Sequence, residues 1–220
     1  MAGSLLKGLH IAVTRPVNQA ASICELIEHH GGEALMFPLL AISALDDYST
    51  FEHTIASLEQ ADWAIFISTN AVDYALPRIL KKFGRVPNNI KFAAIGHQTA
   101  KALEHYGVHH VLIPQTRFDS ESLLSLTEMH DVANKTIFIV RGVGGRDVLA
   151  ETLKSRGADV IFAECYRRIN PQTDTHVLSN LWQQQKLDAM IVTSSEAMRN
   201  LLDLSDIQDH TNECEWLRHI

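Results

Sequence analysis

The chain is short of almost everything that marks a specialised class of protein. It holds 3 cysteines in 220 residues, and Cys24, Cys165 and Cys214 show no CxxC spacing. That argues against a disulfide framework and a cysteine-based zinc module, and suits reduced thiols in the cytoplasm. No apolar run approaches a membrane span, and the N-terminus MAGSLLKGLHIAVTRP lacks a signal-peptide core before Lys7 and Arg15 interrupt it. Positive charge is in deficit: 19 Lys and Arg face 26 Asp and Glu, for a net charge of −7. This argues against nucleic acid or an anionic membrane as a bulk partner. An anionic small molecule would have to be met by a few focused arginines and backbone N–H groups.

Several catalytic signatures are also missing. There is no GxxxxGK[ST] phosphate loop and no GxSxG nucleophile elbow. The 12 histidines include the doublets His29-His30 and His109-His110, but no HxxxH pair has supporting acidic or cysteine ligands. They read as solvent-facing side chains, and no metal is expected.

What the chain does have is 46% hydrophobic residues in a regular arrangement. Short apolar strands (His10–Thr14, Ala34–Leu40, Trp63–Ile67, Phe92–Ile95, Val111–Ile113) alternate with helical spacings. Those are Ala20/Ile23/Ile27, Phe51/Ile55/Leu58, Val72/Leu76/Ile79 and Thr99–Tyr106, then a helix through Leu123, Leu124 and Leu126. Pro16 suits a first helical position, Ser68-Thr69 and Asp119 or Ser120 suit N-caps, and Pro77 should kink its helix. Alternating strands and helices imply an α/β fold with parallel sheets.

The chain also repeats itself. "HIAVTRPVNQAASICELIEHHGGEA" lies over "TIFIVRGVGGRDVLAETLKSRGADV", pairing Arg15 with Arg141 and Gly31 with Gly157 at an offset of 126. "DWAIFISTNAVDYAL" lies over "DAMIVTSSEAMRNLL" at the same offset, pairing Asp62 with Asp188 and Ser68 with Ser194. Any two βαβ units share a hydrophobic pattern, but not these Arg and Ser positions, so a duplication is expected. The counterpart of Ala93 would begin at residue 219. The second copy's strand, turn and helix are therefore expected to be missing, and the chain to be shortened at its C-terminus.

Candidate chemistry lies wherever a strand passes into a helix: Thr14-Arg15, Ser68-Thr69-Asn70, Gly96-His97-Gln98-Thr99, Arg141 to Asp147, and Thr193-Ser194-Ser195. Ligands of open parallel sheets bind beyond the carboxyl ends of the strands, where helix N-termini offer unpaired N–H donors. Capping alone would account for any one Ser or Thr; five such turns, two with arginine, suggest more. The glycine-rich turn after Arg141 invites a dinucleotide reading, but GxGxxG from Gly142 requires glycine at position 147, which is Asp147. A carboxylate there would repel a pyrophosphate. What remains is a loop with Gly142, Gly145 and exposed amides between Arg141 and Arg146, suited to carboxylates. Tyr166 reads either as a half-buried linker aromatic or as a phenol that donates a proton to a leaving group.

In order, "VTRP", "FISTNAV", "AIGHQTAKAL", "FDSESLL", "VRGVGGRDVLAETLKSRGADV", "YRR" and "VTSSEAMRNL" resemble the uroporphyrinogen-III synthase family over nearly the whole chain. The resemblance implies two parallel-sheet α/β domains joined by a two-stranded linker, bilobed around a cleft. One domain would take residues 1–37 and 170–220, its C-terminal part incomplete. The other would take 45–163, with linkers 38–44 and 164–169. It implies cyclisation of hydroxymethylbilane, a linear tetrapyrrole carrying eight carboxylates, with inversion of ring D and loss of water. No cofactor and no metal are implied. By the same resemblance Tyr166 is the candidate proton donor. Substrate binding falls to Thr14, Arg15, Ser68, Thr69, Asn70, Gly96, Thr99, Arg141, Gly142, Gly145, Arg146, Thr193, Ser194 and Ser195. The expected protein is a cytoplasmic monomer that receives its bilane from the preceding pathway enzyme. Two other readings stay open from the residues: a non-catalytic hinged module that binds a small polycarboxylate, and, weakened by Asp147, a nucleotide-dependent enzyme.

Overall fold

The computed structural model describes residues 4–171, 173–174 and 176–208. The first apolar run forms β1 (His10–Val13). Pro16, at φ −50°, leads into a 3-10 turn at Val17–Gln19 before α1 (Ala21–His29) begins. The helix therefore starts several residues beyond its proline. Gly31, at φ +84°, closes α1 in the left-handed region open to glycine, and the chain turns into β2 (Glu33–Met36). After β3 (Ala41–Ser43), the Phe51 to Leu58 pattern divides into α2 (Ser49–Thr54) and a 3-10 segment at Ile55–Gln60. Next come β4 (Trp63–Phe66) and α3 (Thr69–Phe83), which runs through Pro77 without ending.

β5 (Lys91–Ala94), α4 (His97–Glu104), β6 (Val111–Leu112) and α5 (Ser120–Leu124) follow. The α5 helix stops short of Leu126. Arg156 explains why: its guanidinium donates to the carbonyls of Leu124 and Met129 at 2.9 and 2.7 Å, drawing the chain out of the helical path. The remaining elements are β7 (Thr136–Gly142), α6 (Val148–Ser155), β8 (Asp159–Ile169), α7 (His176–Gln183), β9 (Ala189–Ile191) and α8 (Ser195–Gln208).

The chain divides into two compact units, Met1–Ile42 with Arg168–Ile220, and Ser43–Arg167. The first contains a three-stranded sheet of order β2-β1-β9, all parallel. The larger sheet has the order β3-β8-β7-β4-β5-β6, and β8 through β6 run parallel. Both faces of β1 are covered. Ile11 and Val13 pack with Ala20 and Ile27 on one side, while Ala12 packs with Phe37, Leu39, Leu178 and Leu187 on the other. That two-sided burial is why these strands read as continuous apolar runs instead of alternating ones. In the larger sheet, Ile65, Ile137 and Ile139 meet Leu123, Leu149 and Leu153.

The duplication is visible in the pairing. At the common offset β1 and β2 correspond to β7 and β8, and β4 to β9. The strand order β2-β1-β9 thus repeats β8-β7-β4. Each copy's first strand lies beside the other copy's later strand. Gly157 repeats Gly31, at φ +86°. The expected counterpart of Ala93 concerns residue 219 onward, outside the described residues.

Asp62 and Asp188 show what the repeat preserves. Asp62 Oδ2 accepts from the Thr136 N–H at 2.9 Å, and Asp188 Oδ2 accepts from the His10 N–H at 2.7 Å. The backbone N–H of Thr136, then the Lys135 ammonium, hold Asp62 below the usual carboxylate range. The His10 N–H and ring do the same for Asp188. A folded-state pKa below the unfolded one contributes stability above about pH 4 and loses it as pH falls through the folded value. Asp62→Asn is therefore expected to cost about 1 kcal/mol at pH 7, with the gap to wild type closing below about pH 4. Urea unfolding at pH 7 and pH 3 checks this, and an undiminished gap at pH 3 would contradict it.

Candidate active site at the carboxyl edge of the strands

Because β4 to β8 are parallel, the turns that follow them share one edge of the larger sheet. Ser68 follows β4 in extended conformation and caps α3, its Oγ accepting from the Ala71 N–H at 3.1 Å. The same Oγ lies 3.1 Å from the Tyr166 hydroxyl. With Tyr166 donating, both Ser68 lone pairs are engaged, and the Ser68 O–H is left to point elsewhere. A buried phenol thereby reaches the sheet edge through a half-buried serine.

Tyr166 is 0% exposed, so the half-buried reading of this residue does not hold. A bulge in β8 accounts for its position. Arg141 pairs with Glu164 and Gly142 pairs with Tyr166, leaving Cys165 as the extra residue. Cys165 and Tyr166 are both buried, as consecutive residues are in a sheet covered on both faces; what the bulge changes is that Tyr166, not Cys165, stands opposite Gly142. Gly142 makes room for the ring: a Cβ there would stand 2.7 and 2.8 Å from two Tyr166 ring carbons. Burial pushes the Cys165 thiol up to about 12, so it is no nucleophile.

Arg141 is turned inward, against the expectation that it binds the ligand's carboxylates. It is 4% exposed, and its guanidinium donates to the Gly142 carbonyl at 3.3 Å, to the Gly144 carbonyl, and to Asp147 Oδ1 at 2.9 Å. It braces the glycine loop from within. Gly144 and Gly145, at φ +70° and +104°, supply the left-handed conformations the loop needs. The Gly144 N–H donates to Glu164 Oε1 at 3.1 Å, a contact with no signal in the sequence. Arg146 is exposed and carries no ion pair among the described residues.

Gly96 caps α4, beside buried Thr99. Thr69 and Asn70 open α3 at the same edge and are half-buried. In the first unit, Thr14 is fully buried and its hydroxyl donates to the Ile191 carbonyl at 2.9 Å, stitching β1 to β9. Arg15 next to it is half-buried. Thr193, Ser194 and Ser195 are exposed at the start of α8, where Ser194 Oγ accepts from the Ala197 N–H at 3.0 Å. That cap repeats Ser68 at the common offset.

Fold and site together define a duplicated parallel α/β protein whose strand edges present hydroxyl, amide and guanidinium donors suited to an anionic small molecule. The sequence profile of the family described as uroporphyrinogen-III synthase HemD matches residues 21–220. The chain is 33% identical to the uroporphyrinogen-III synthase of Escherichia coli K12 over 211 residues, covering 96% of this chain and 85% of that one. It is 32% identical to that of Salmonella typhimurium LT2, covering 90% and 80%. Its fold is similar to the crystal structure of a mutant uroporphyrinogen III synthase from the extreme thermophile Thermus thermophilus. There the TM-score is 0.65 at 19% identity, over 89% of this chain and 77% of that one. The chain belongs to the uroporphyrinogen-III synthase family.

Proposed function

We infer that the chain cyclises hydroxymethylbilane with loss of water and inversion of ring D, as a cyclising lyase of tetrapyrrole biosynthesis. The terminal hydroxyl leaves as water once protonated, giving an azafulvene. Ring D attacks through its substituted carbon to form a spiro intermediate, which reopens and recloses with that ring turned over. The main contribution asked of the protein is positioning, because an unassisted bilane cyclises without inversion. Family membership supports this reading, and nothing in the fold favours the binding-module alternative.

Of the site, the observation that carries most is the Tyr166–Ser68 pair at the strand edge. Tyr166 is proposed as the source of the proton for the leaving hydroxyl, passed outward through Ser68. The substrate's carboxylates are proposed to meet Thr69, Asn70, Gly96, Thr99, Gly142, Gly145 and Arg146 in the larger unit, and Arg15, Thr193, Ser194 and Ser195 in the other. Arg141 and Thr14, whose hydrogen bonds turn inward, support those turns from beneath. The same reading has the protein working as a cytoplasmic monomer that takes its bilane from the preceding enzyme. Among the described residues no helix is long and apolar enough to cross a membrane.

The test is product identity. Supplied with hydroxymethylbilane, the protein is expected to yield the ring-D-inverted isomer in excess over the spontaneous one. Only the non-inverted isomer would refute the reading.

A further inference from the structure

The loop between β6 and α5 lays against the turn after β5 a side chain that the catalytic reading leaves unused. Phe118 is 52% exposed. A single exposed apolar residue is ordinary on a protein surface, but this one is clamped. Its Cβ and Cγ lie 3.2 and 3.3 Å from where a Cβ on Gly96 would stand. His97 meets its ring edge-on, with centroids 4.9 Å apart and planes at 72°. The backbone at Gly96, φ −161°, is open to any residue, so the close approach of Phe118 is what glycine serves there. A rigid aromatic ring is thus presented at the same strand edge as Ser68 and the glycine loop. Beside it Arg117 is 83% exposed, with only a long 3.8 Å contact to Asp119, whose carboxylate already caps α5.

A fixed aromatic ring next to an available guanidinium matches a pyrrole that carries carboxylate arms. Aromatic pairs are favoured at centroid separations of about 4.5–7 Å, and guanidinium binds carboxylates in bidentate fashion. We propose that Phe118, backed by His97, is a substrate-binding residue on which one pyrrole ring of the linear tetrapyrrole stacks, with Arg117 receiving that ring's carboxylates. The substrate class rests on the function inferred above; the stacking surface is a separate assignment.

Steady-state kinetics of the full chain with hydroxymethylbilane decide it. Leucine keeps apolar bulk over Gly96 but has no ring face. Phe118→Leu is expected to raise KM by about fivefold to tenfold with kcat within about twofold, the pattern of lost ground-state binding. Phe118→Tyr is expected to stay within about twofold of wild type in both constants. If Phe118 only fills space, leucine serves as well as tyrosine, and a wild-type KM for Phe118→Leu overturns the proposal. So does a fall in kcat at constant KM. Should Phe118→Leu fail to melt cooperatively, Arg117→Gln decides, since that side chain is 83% exposed and its loss spares the fold. There a raised KM supports the pyrrole site and a wild-type KM refutes it. Failure of the substrate reading would show separately, as absence of the inverted isomer from the wild-type protein.

Discussion

Tyr166→Phe is expected to lower turnover of hydroxymethylbilane by about a hundredfold, at the low end of what general acid catalysis contributes. The fold should survive. Tyr166 is 0% exposed and its ring packs directly against Gly142, so phenylalanine fills the same volume in the same place. What disappears is one hydroxyl, and with it the 3.1 Å contact to Ser68. Ser68 keeps its cap on the Ala71 N–H. Losing one hydrogen bond costs about 1 kcal/mol, or roughly 2–4 °C in a protein of this size. Single-turnover rates and a thermal melt separate the two effects. Turnover near the wild-type rate with the small drop in Tm would make the phenol a packing element and remove its proton-donor role, leaving the family membership untouched.

Gly142→Ala is expected to be the more damaging substitution for the fold. The added methyl would stand 2.7 Å from a Tyr166 ring carbon, well inside any tolerated contact. The ring cannot give way easily. Ser68 holds its hydroxyl, and the Tyr74 ring lies 5.8 Å away, centroid to centroid. The Tyr166 carbonyl accepts from the Val143 N–H at 2.8 Å, so the two strands are tied together just beyond the collision. Overpacking of this kind costs about 1–3 kcal/mol, and Tm should fall by about 5 °C. Activity should fall as well, because the displaced ring moves the hydroxyl away from Ser68. In a Tyr166→Leu background most of the penalty should vanish. A double-mutant cycle on Tm measures this, and additive losses would show that the clash is not the cause.

The division between legible and hidden follows the range of the interactions involved. Strands, helices and their order are readable because apolar spacing is local. So are the caps at Ser68 and Asp119, each of which bonds to an N–H three residues on. The α5 helix ends earlier than its leucine spacing predicts because Arg156, far along the chain, takes the Leu124 carbonyl. A guanidinium beside a glycine turn has the chemistry of a carboxylate ligand, which is how Arg141 reads in the sequence. The fold instead directs its donors to the loop's own carbonyls and to Asp147.

By itself the sequence determined the α/β class, the duplication at an offset of 126, the strand-to-helix turns and, through its motifs, the family. All of these depend on residue type and spacing, which survive without coordinates. Only the tertiary structure decided which copy pairs with which, and that β1 lies beside β9 while β7 lies beside β4. Only it placed Tyr166 against Gly142 and Ser68. That contact depends on a bulge at Cys165, and a bulge shifts every later side chain to the other face without any mark in the composition.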